Sequence, residues 1–385
     1  MKLKSGKLSL AKTRRQDPIA SSPHLPAEIL FHILILQPLV TQWTCPNACR
    51  EMMNVLLRCC RVAKAWCEVA REILYRCIPL TQAKSLRLLL RTVFSERFDG
   101  ICPARALQFS PRFPTPRPDD MQLREFAELA GTIVVRCPNL IYLTGDHNSL
   151  RFTSTRLPPK YPFLTGLKVS GQDLQLLAPL LVQLSNLEFF EMHQSYGDGD
   201  ALGHSFSPPT FKLSNISISQ TALSPSLCKW LFSSSSQTIE SLEVQEVGAS
   251  LYHLIEVIGD FVKKLHIKQM FDMIVRSDLD AIEALSGLPR LRSLRIDGRG
   301  FKTEPLLNLQ SSLEAFAFSN AVACNVQARL ESGWQPSLRS LDMYCGPGLL
   351  TLLPWIPTTT EQKEVRELAM ACAVRGIKLN TIFIF

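Results

Sequence analysis

The sequence predicts an α/β protein: a short helical module, then a strand–helix repeat array with a parallel sheet on its concave side and helices on its convex side. Three observations predict it. A single pattern, apolar-x-x-apolar-x-apolar, returns at a near-constant interval through most of the chain. The intervals between its occurrences carry apolar residues at steps of three and four, the spacing of one helix face. The stretch ahead of the array shows that helical stepping without the strand pattern. The expected organisation is a basic disordered tail over 1–20, a helical module over 21–76 and the repeat array over 77–385.

The tail carries most of the charge. Residues 1–16 hold Lys2, Lys4, Lys7, Lys12, Arg14 and Arg15 and no acid, which leaves +2 of the total +8 for the rest of the chain. A body this close to neutral lacks the broad cationic footprint that phosphate backbones require, so no nucleic-acid partner is expected. The acid-free start reads as a solvated leader, a nuclear-import patch or a transit peptide. No stretch of about 18 uninterrupted apolar residues occurs, so no membrane partner is expected either. Twelve cysteines are scattered, most within apolar runs, and none forms a C-x2-C pair. That usage fits a reducing compartment, cytoplasmic or nuclear, and predicts no metal.

In the helical module, Leu25, Ile29, Ile33 and Leu36 recur at helical spacing. Pro26 suits a first helical turn and Pro38 stands just past the end. Met52, Leu56 and Cys59 mark a second helix, and Val62, Trp66, Val69 and Ile73 a third. Three short helices make a small core that needs something to pack against. The run Leu25-Pro26-x-Glu28-Ile29-Leu30, then Ile33-Leu34, and later Cys60-x-Val62-x3-Trp66-x3-Ala70 followed by Leu74-Tyr75, resembles the F-box. The likeness covers roughly residues 22–76. It implies docking on the SKP adaptor of a cullin–RING (SCF) ubiquitin ligase, with Leu25, Pro26, Ile29, Leu30, Ile33, Leu34, Cys60, Val62 and Trp66 as adaptor-contact or module-packing positions. The chain departs from the family pattern by an insertion of about ten residues around Trp43, Thr44 and Cys45. The alternative reading of the module is an ordinary helical cap on the array.

The repeat pattern appears at Leu140/Leu143, Leu164/Leu167/Val169, Leu187/Phe190/Met192, Leu213/Ile216/Ile218 and Ile239/Leu242/Val244. It continues at Val262/Leu265/Ile267, Leu291/Leu294/Ile296, Leu313/Phe316/Phe318, Leu338/Leu341/Met343 and Leu379/Ile382/Ile384. Middle positions from Leu143 to Leu341 step by 24, 23, 26, 26, 23, 29, 22 and 25 residues. Fainter units at Tyr75/Ile78/Leu80 and Ala104/Leu107/Phe109 bring the expected count to eleven or twelve. Helices are predicted on Leu86/Leu90/Val93, Leu123/Phe126/Ala130, Leu251/Leu254/Ile255/Ile258, Ile282/Leu285 and Val365/Leu368/Cys372. Their boundary signals are Ser224-Pro225, a capping box at Thr358-x-x-Glu361, and glycine caps at Gly287 and Gly376. Pro138, Pro162, Pro289 and Pro336 each precede a strand. Units of this size cannot bury their own apolar face, so neighbours must stack. The array resembles leucine-rich repeats. The asparagine that this family places after the strand is matched only at Asn148; Gln172, Ser195, Thr221 and Val247 stand at the equivalent places.

No G-x4-G-K-[ST], G-x-S-x-G, G-x-G-x-x-G or H-E-x-x-H motif occurs, and His193, His204, His253 and His266 are isolated along the chain. Asp198 and Asp200 fall in a Gly/Asp/Pro-rich stretch, 196–209, that reads as a solvent loop. The sequence therefore predicts no catalytic residue and no cofactor. Positions alternating with the core residues face outward: Lys168, Glu191, His193, Glu243, Lys264, His266, Lys268, Arg295, Asp297, Asp342 and Tyr344. Within this mixed surface Lys264, His266, Lys268 and Arg295 form a basic cluster, the candidate site for a target protein with an acidic or phosphorylated segment. The family resemblance implies a substrate-recognition subunit of an SCF-type ligase whose target is not named by the sequence. A repeat scaffold that never meets a ligase is the alternative.

Overall fold

The computed structural model describes residues 54–62, 64–95, 101–110, 120–146, 149–150, 161–171, 173–245, 250–268, 285, 288–297, 313–319, 323–335, 337–345 and 359–383. The chain divides into two compact units, one up to Arg76 and one from Cys77 to Phe385.

In the first unit, residues 54–59 are helical and a second helix, α1, spans Lys64–Arg76. Leu56, Cys59, Val69, Ala70 and Ile73 form its buried cluster, with Cys60, Trp66 and Leu74 packed against it. The spacing of Val69 and Ile73 puts both on one helix face, as expected of a four-residue step. Val62 stands apart from that stripe. It lies in the turn before α1 and is 67% exposed, so the helix begins later than the apolar spacing suggests.

Among the described residues the second unit holds one sheet of twelve strands, all parallel and in sequence order. They are β1 (Cys77–Leu80), β2 (Ala106–Phe109), β3 (Tyr142–Asp146), β4 (Gly166–Ser170), β5 (Phe189–His193), β6 (Asn215–Ser219), β7 (Ser241–Gln245), β8 (Lys264–Lys268), β9 (Ser293–Asp297), β10 (Ala315–Ser319), β11 (Ser340–Cys345) and β12 (Lys378–Phe383). Parallel neighbours need a crossover. Most of the described crossovers are helical: α2 (Ala83–Val93), α3 (Asp120–Val135), α4 (Leu174–Leu181), α5 (Gly199–Ser205), α6 (Pro225–Phe232), α7 (Ser250–Ile258), α8 (Ala323–Glu331) and α9 (Thr359–Val374). Consecutive helices touch: α2 with α3, α4 with α5, α5 with α6, α6 with α7, and α8 with α9. They therefore form a layer on the face of the sheet where the apolar side chains are buried.

The middle apolar position of each repeat occupies one register. Ile78, Leu107, Leu143, Leu167, Phe190, Ile216, Leu242, Leu265, Leu294, Phe316 and Leu341 align strand by strand. Those from Leu107 to Leu341 are buried, and so are the residues three positions earlier from Ala104 to Leu338. The final unit differs. Leu341 pairs with Leu379, where the apolar pattern had placed Ile382, so the strand enters three residues earlier. The cause is local. Gly376, at φ +67°, closes α9 with its N–H on the Ala373 carbonyl (3.1 Å), and the Ile377 N–H reaches the Cys372 carbonyl (2.9 Å). This pair of bonds is the Schellman motif. Buried Ile377 then takes the inward place ahead of the strand.

Several strands are entered through a turn in which the first apolar residue donates its N–H to a carbonyl three residues back. Leu140 bonds Cys137, Leu164 bonds Tyr161 and Leu291 bonds Leu288, at 3.2–3.3 Å. Pro138, Pro162 and Pro289 occupy the second position of these turns, where a fixed φ near −65° is what the turn needs. At α6, the Ser224 side chain accepts from the Leu227 N–H at 3.2 Å and Pro225 starts the first turn, as the sequence predicts. Thr358, Gly287 and Ile282 fall outside the described residues. Past the strands, Ser195 and Thr221 link neighbouring repeats through side chain and backbone. Both are 2% exposed; the Ser195 N–H donates to Thr221 Oγ1 (3.3 Å), which donates to the Ser219 carbonyl (2.9 Å).

Ser235 makes a second link between neighbours. Fully buried, it donates to the Phe211 carbonyl (2.8 Å) and accepts the Leu213 N–H (3.0 Å). Gln335 serves Leu313 in the same way, at 3.0 Å. In Ser235→Ala the Leu213 N–H loses its acceptor, whereas the Phe211 carbonyl keeps a longer bond from Ser234. A buried donor left unpaired costs about 1–3 kcal/mol. Urea unfolding of this variant is expected to show that loss of free energy as a lower midpoint with an unchanged slope.

Candidate protein-interaction surface

The pleat sends alternate side chains of every strand away from the helices. On that face the residue after each middle position forms one row: Lys168, Glu191, Ser217, Glu243, His266, Arg295, Ala317, Asp342 and Asn380. Two positions further along, Ser170, His193, Ser219, Gln245, Lys268 and Asp297 form a second row. Nearly all are half-buried, whereas the positions between them are mostly fully buried. Adjacent strands lie about 4.8 Å apart, so each row presents side chains at hydrogen-bonding distance from one repeat to the next.

The rows are stitched by those contacts. Lys168 pairs with Glu191, and Asn380 donates to Asp342 at 2.6 Å. His193 Nδ1 lies 3.1 Å from Ser219 Oγ, and Ser217 donates to Glu243 at 3.2 Å. Toward the strand starts, Tyr142 and Phe189 stand on either side of Gly166, with ring centroids 6.1 Å apart. A Cβ at Gly166 would meet the Tyr142 ring at 2.2 Å, so glycine is what lets the tyrosine lie over the sheet.

The predicted basic cluster is brought together on β8 and β9, along with its counter-charges. Lys268 Nζ is 2.7 Å from Glu243 Oε1, and Arg295 binds Asp297 through Nε (3.0 Å) and its terminal nitrogen (2.9 Å). His266 lies between Glu243 Oε2 (3.1 Å) and Asp297 Oδ2 (2.7 Å). The hydrogen bond from His266, with Lys268 behind it and against the effect of burial, holds the Glu243 carboxyl down to about 2. Burial alone would raise Asp297, but His266 and Arg295 hold it below the usual value. Lys264 is exposed at the strand start, beside Ser241 and Ser293. The outcome is a salt-bridge network with Lys264 at its edge. Only the Arg295–Asp297 pair, two residues apart on β9, is near in sequence; the partners of His266 and Lys268 lie 23–31 residues away, which sequence spacing does not show.

Of the predicted adaptor-contact positions, Leu25, Pro26, Ile29, Leu30, Ile33 and Leu34 lie outside the described residues. Cys60 and Trp66 are half-buried against the core of the first unit, and Val62 is exposed. Burial, then the neighbouring Cys67, push the Cys60 thiol up, away from thiolate chemistry. Burial takes Cys228 to about 12. The stretch around Asp198 is not a loop. Its carboxylate accepts from the Asp200 (3.0 Å) and Ala201 (3.4 Å) N–H groups and caps α5. The side chains of Tyr344 and the end strand's Ile382 lie outside the described residues, as does Trp355.

No family model matches the chain, and no curated protein is significantly similar to it. Among the described residues, no cluster of three or more His, Cys, Asp or Glu could hold a metal ion, and no helix is long and apolar enough to cross a membrane.

Proposed function

We propose that this chain is the substrate-recognition subunit of an SCF-type cullin–RING ubiquitin ligase. The helical module takes the SKP adaptor and the outward face of the repeat sheet takes a target protein. The observation that carries the second half is the pair of rows described above: half-exposed polar and charged side chains from most of the successive repeats, on a continuous face. Such a surface suits an extended or broad protein epitope, since specificity comes from many spaced contacts rather than one deep site. The first half rests on the resemblance of Leu25-Pro26-x-Glu28-Ile29 and Cys60-x-Val62-x3-Trp66 to the F-box. In this role the chain supplies proximity: it raises the local concentration of target lysines for a transfer that other subunits catalyse.

A second reading, a repeat scaffold or interaction adaptor outside any ligase, draws on the insertion around Trp43, which lengthens the module between its two motif ends. Co-expression with the SKP adaptor followed by size-exclusion chromatography separates the two. The expected result is stoichiometric co-elution that a Leu25→Ala/Pro26→Ala variant loses by at least ten-fold, about 1.4 kcal/mol. Folded chain that never co-elutes with the adaptor puts the scaffold reading first.

A further inference from the structure

Both ring nitrogens of His266 face carboxylate oxygens: Nδ1 faces Glu243 Oε2 at 3.1 Å and Nε2 faces Asp297 Oδ2 at 2.7 Å. A neutral imidazole has one N–H and one lone pair. In that form one of the two carboxylates would be held against a lone pair at hydrogen-bond distance, which is repulsive. Only the imidazolium donates to both. We infer that His266 is the protonated bolt of a pH-dependent clasp joining β7, β8 and β9, closed while the ring carries its proton and loosened when it is lost.

The surroundings favour that state. Glu243 comes from β7 and Asp297 from β9, so the ring bridges the strands on either side of its own. The charged groups facing it are Glu243 from β7, Lys264 and Lys268 from β8, and Arg295 and Asp297 from β9. Ser217 on β6 and Gln245 on β7 add neutral polar groups, Ser217 by donating to Glu243. The His266 side chain is only 19% exposed, which limits the water available to replace either carboxylate. Burial alone would lower the His266 pKa, yet the hydrogen bonds to Asp297 and Glu243 prevail and it lies above the ordinary 6.5.

The sign of the pH effect follows. A raised folded-state pKa contributes stability that is full below 6.5 and is lost as pH rises through the folded value. The carboxylates act in the opposite sense. Their contribution is full above their ordinary values, 4.5 for Glu243 and 3.8 for Asp297, and is lost as pH falls through the lowered folded values. The clasp is therefore strongest between 4.5 and 6.5. With the proton, four cations (Lys264, His266, Lys268 and Arg295) face two anions; without it the excess of positive charge falls from two to one. A target docking on this face would thus meet a surface whose charge is set by pH. That last consequence rests on the function proposed above, but the clasp itself does not.

The test uses the full chain with ¹⁵N-labelled histidine, titrated by NMR without any partner. His266→Gln removes one of the seven histidine signals and so assigns it. The expected midpoint lies above 6.5, and Glu243→Gln and Asp297→Asn each lower it. Thermal melts of the wild-type chain are expected to fall as pH rises from 6.5 through the folded-state midpoint of His266, a slope that His266→Gln reduces. If His266→Gln does not fold, the signal displaced by both carboxylate variants identifies the residue. A midpoint at or below 6.5, or one that neither carboxylate variant moves, overturns the inference. Adaptor co-elution is read separately, so failure of the clasp and failure of the ligase reading are distinguishable.

Discussion

Replacing Gly199 by alanine is expected to destabilise the repeat unit by about 3 kcal/mol or more, the upper end of the cost of overpacking. Gly199 is the buried first residue of α5, and a Cβ there would stand 2.1 Å from the Leu227 nitrogen, 2.4 Å from the Ser226 carbonyl carbon and 2.6 Å from the Leu227 Cα. All three are backbone atoms at the start of α6, so no rotamer change relieves the clash. Helices α5 and α6 must move apart, and with them the repeats they cover. Because each repeat contacts chiefly its neighbours, the loss falls on one interface of the stack. Hydrogen exchange should accelerate first in β5 and β6 and their helices, and the thermal transition should broaden or split. Gly203 supplies the control within the same helix. Nothing lies within 4 Å of a Cβ at that position, so Gly203→Ala should be neutral or stabilise by about 0.5–1 kcal/mol through helix propensity. Equal effects at the two glycines would show that the α5–α6 approach is not the constraint.

Phe190→Ala is expected to cost about 3–5 kcal/mol in chemical denaturation, the range for removing a buried phenylalanine. Phe190, the second residue of β5, is fully buried and packs against Phe211 with ring centroids 6.4 Å apart. Its neighbours in the register column, Leu167 and Ile216, are smaller and cannot fill the space it leaves. Phe189, one residue earlier, points to the opposite face beside Tyr142 and is only half-buried. Phe189→Ala should cost about 1 kcal/mol, less than a third of the loss at Phe190. The comparison tests side assignment directly, since a one-residue slip in register would reverse the two results.

The legible part of this fold was its periodicity. Alternation within five or six residues marks a strand, and recurrence roughly every 25 residues stacks such strands. Where the interval varied, from 22 to 29 residues, the crossover absorbed the difference and the middle positions still met in one column. Ser224 and Gly376 were legible as well, because a cap satisfies backbone groups within a few residues of itself. The insertion of α5 into a stretch of glycine, aspartate and proline was not. Composition there favours a loop, and the helix forms because Asp198 caps it and α6 receives its glycine-bearing end. The last strand was misplaced by three residues for a related reason. Ile382 and Ile384 fit a strand pattern, but the end of α9 at Gly376 had already decided where the strand starts.

What the sequence by itself determined is therefore the order and type of most elements, the residues that face the core, and the polar character of the opposite face. These depend on local hydrogen bonding and on which side of a strand or helix is apolar, both of which act over a few residues. Only the tertiary structure decided which polar residues on that face meet. Lys268 reads as an open cation in the sequence; parallel register brings Glu243 beside it and carries Asp297, already paired with Arg295 on its own strand, across to His266, which lies between the two acids. The two pairings of His266 act across the gaps between strands, so residues 23 and 31 positions away bear on its protonation, and no local pattern records that.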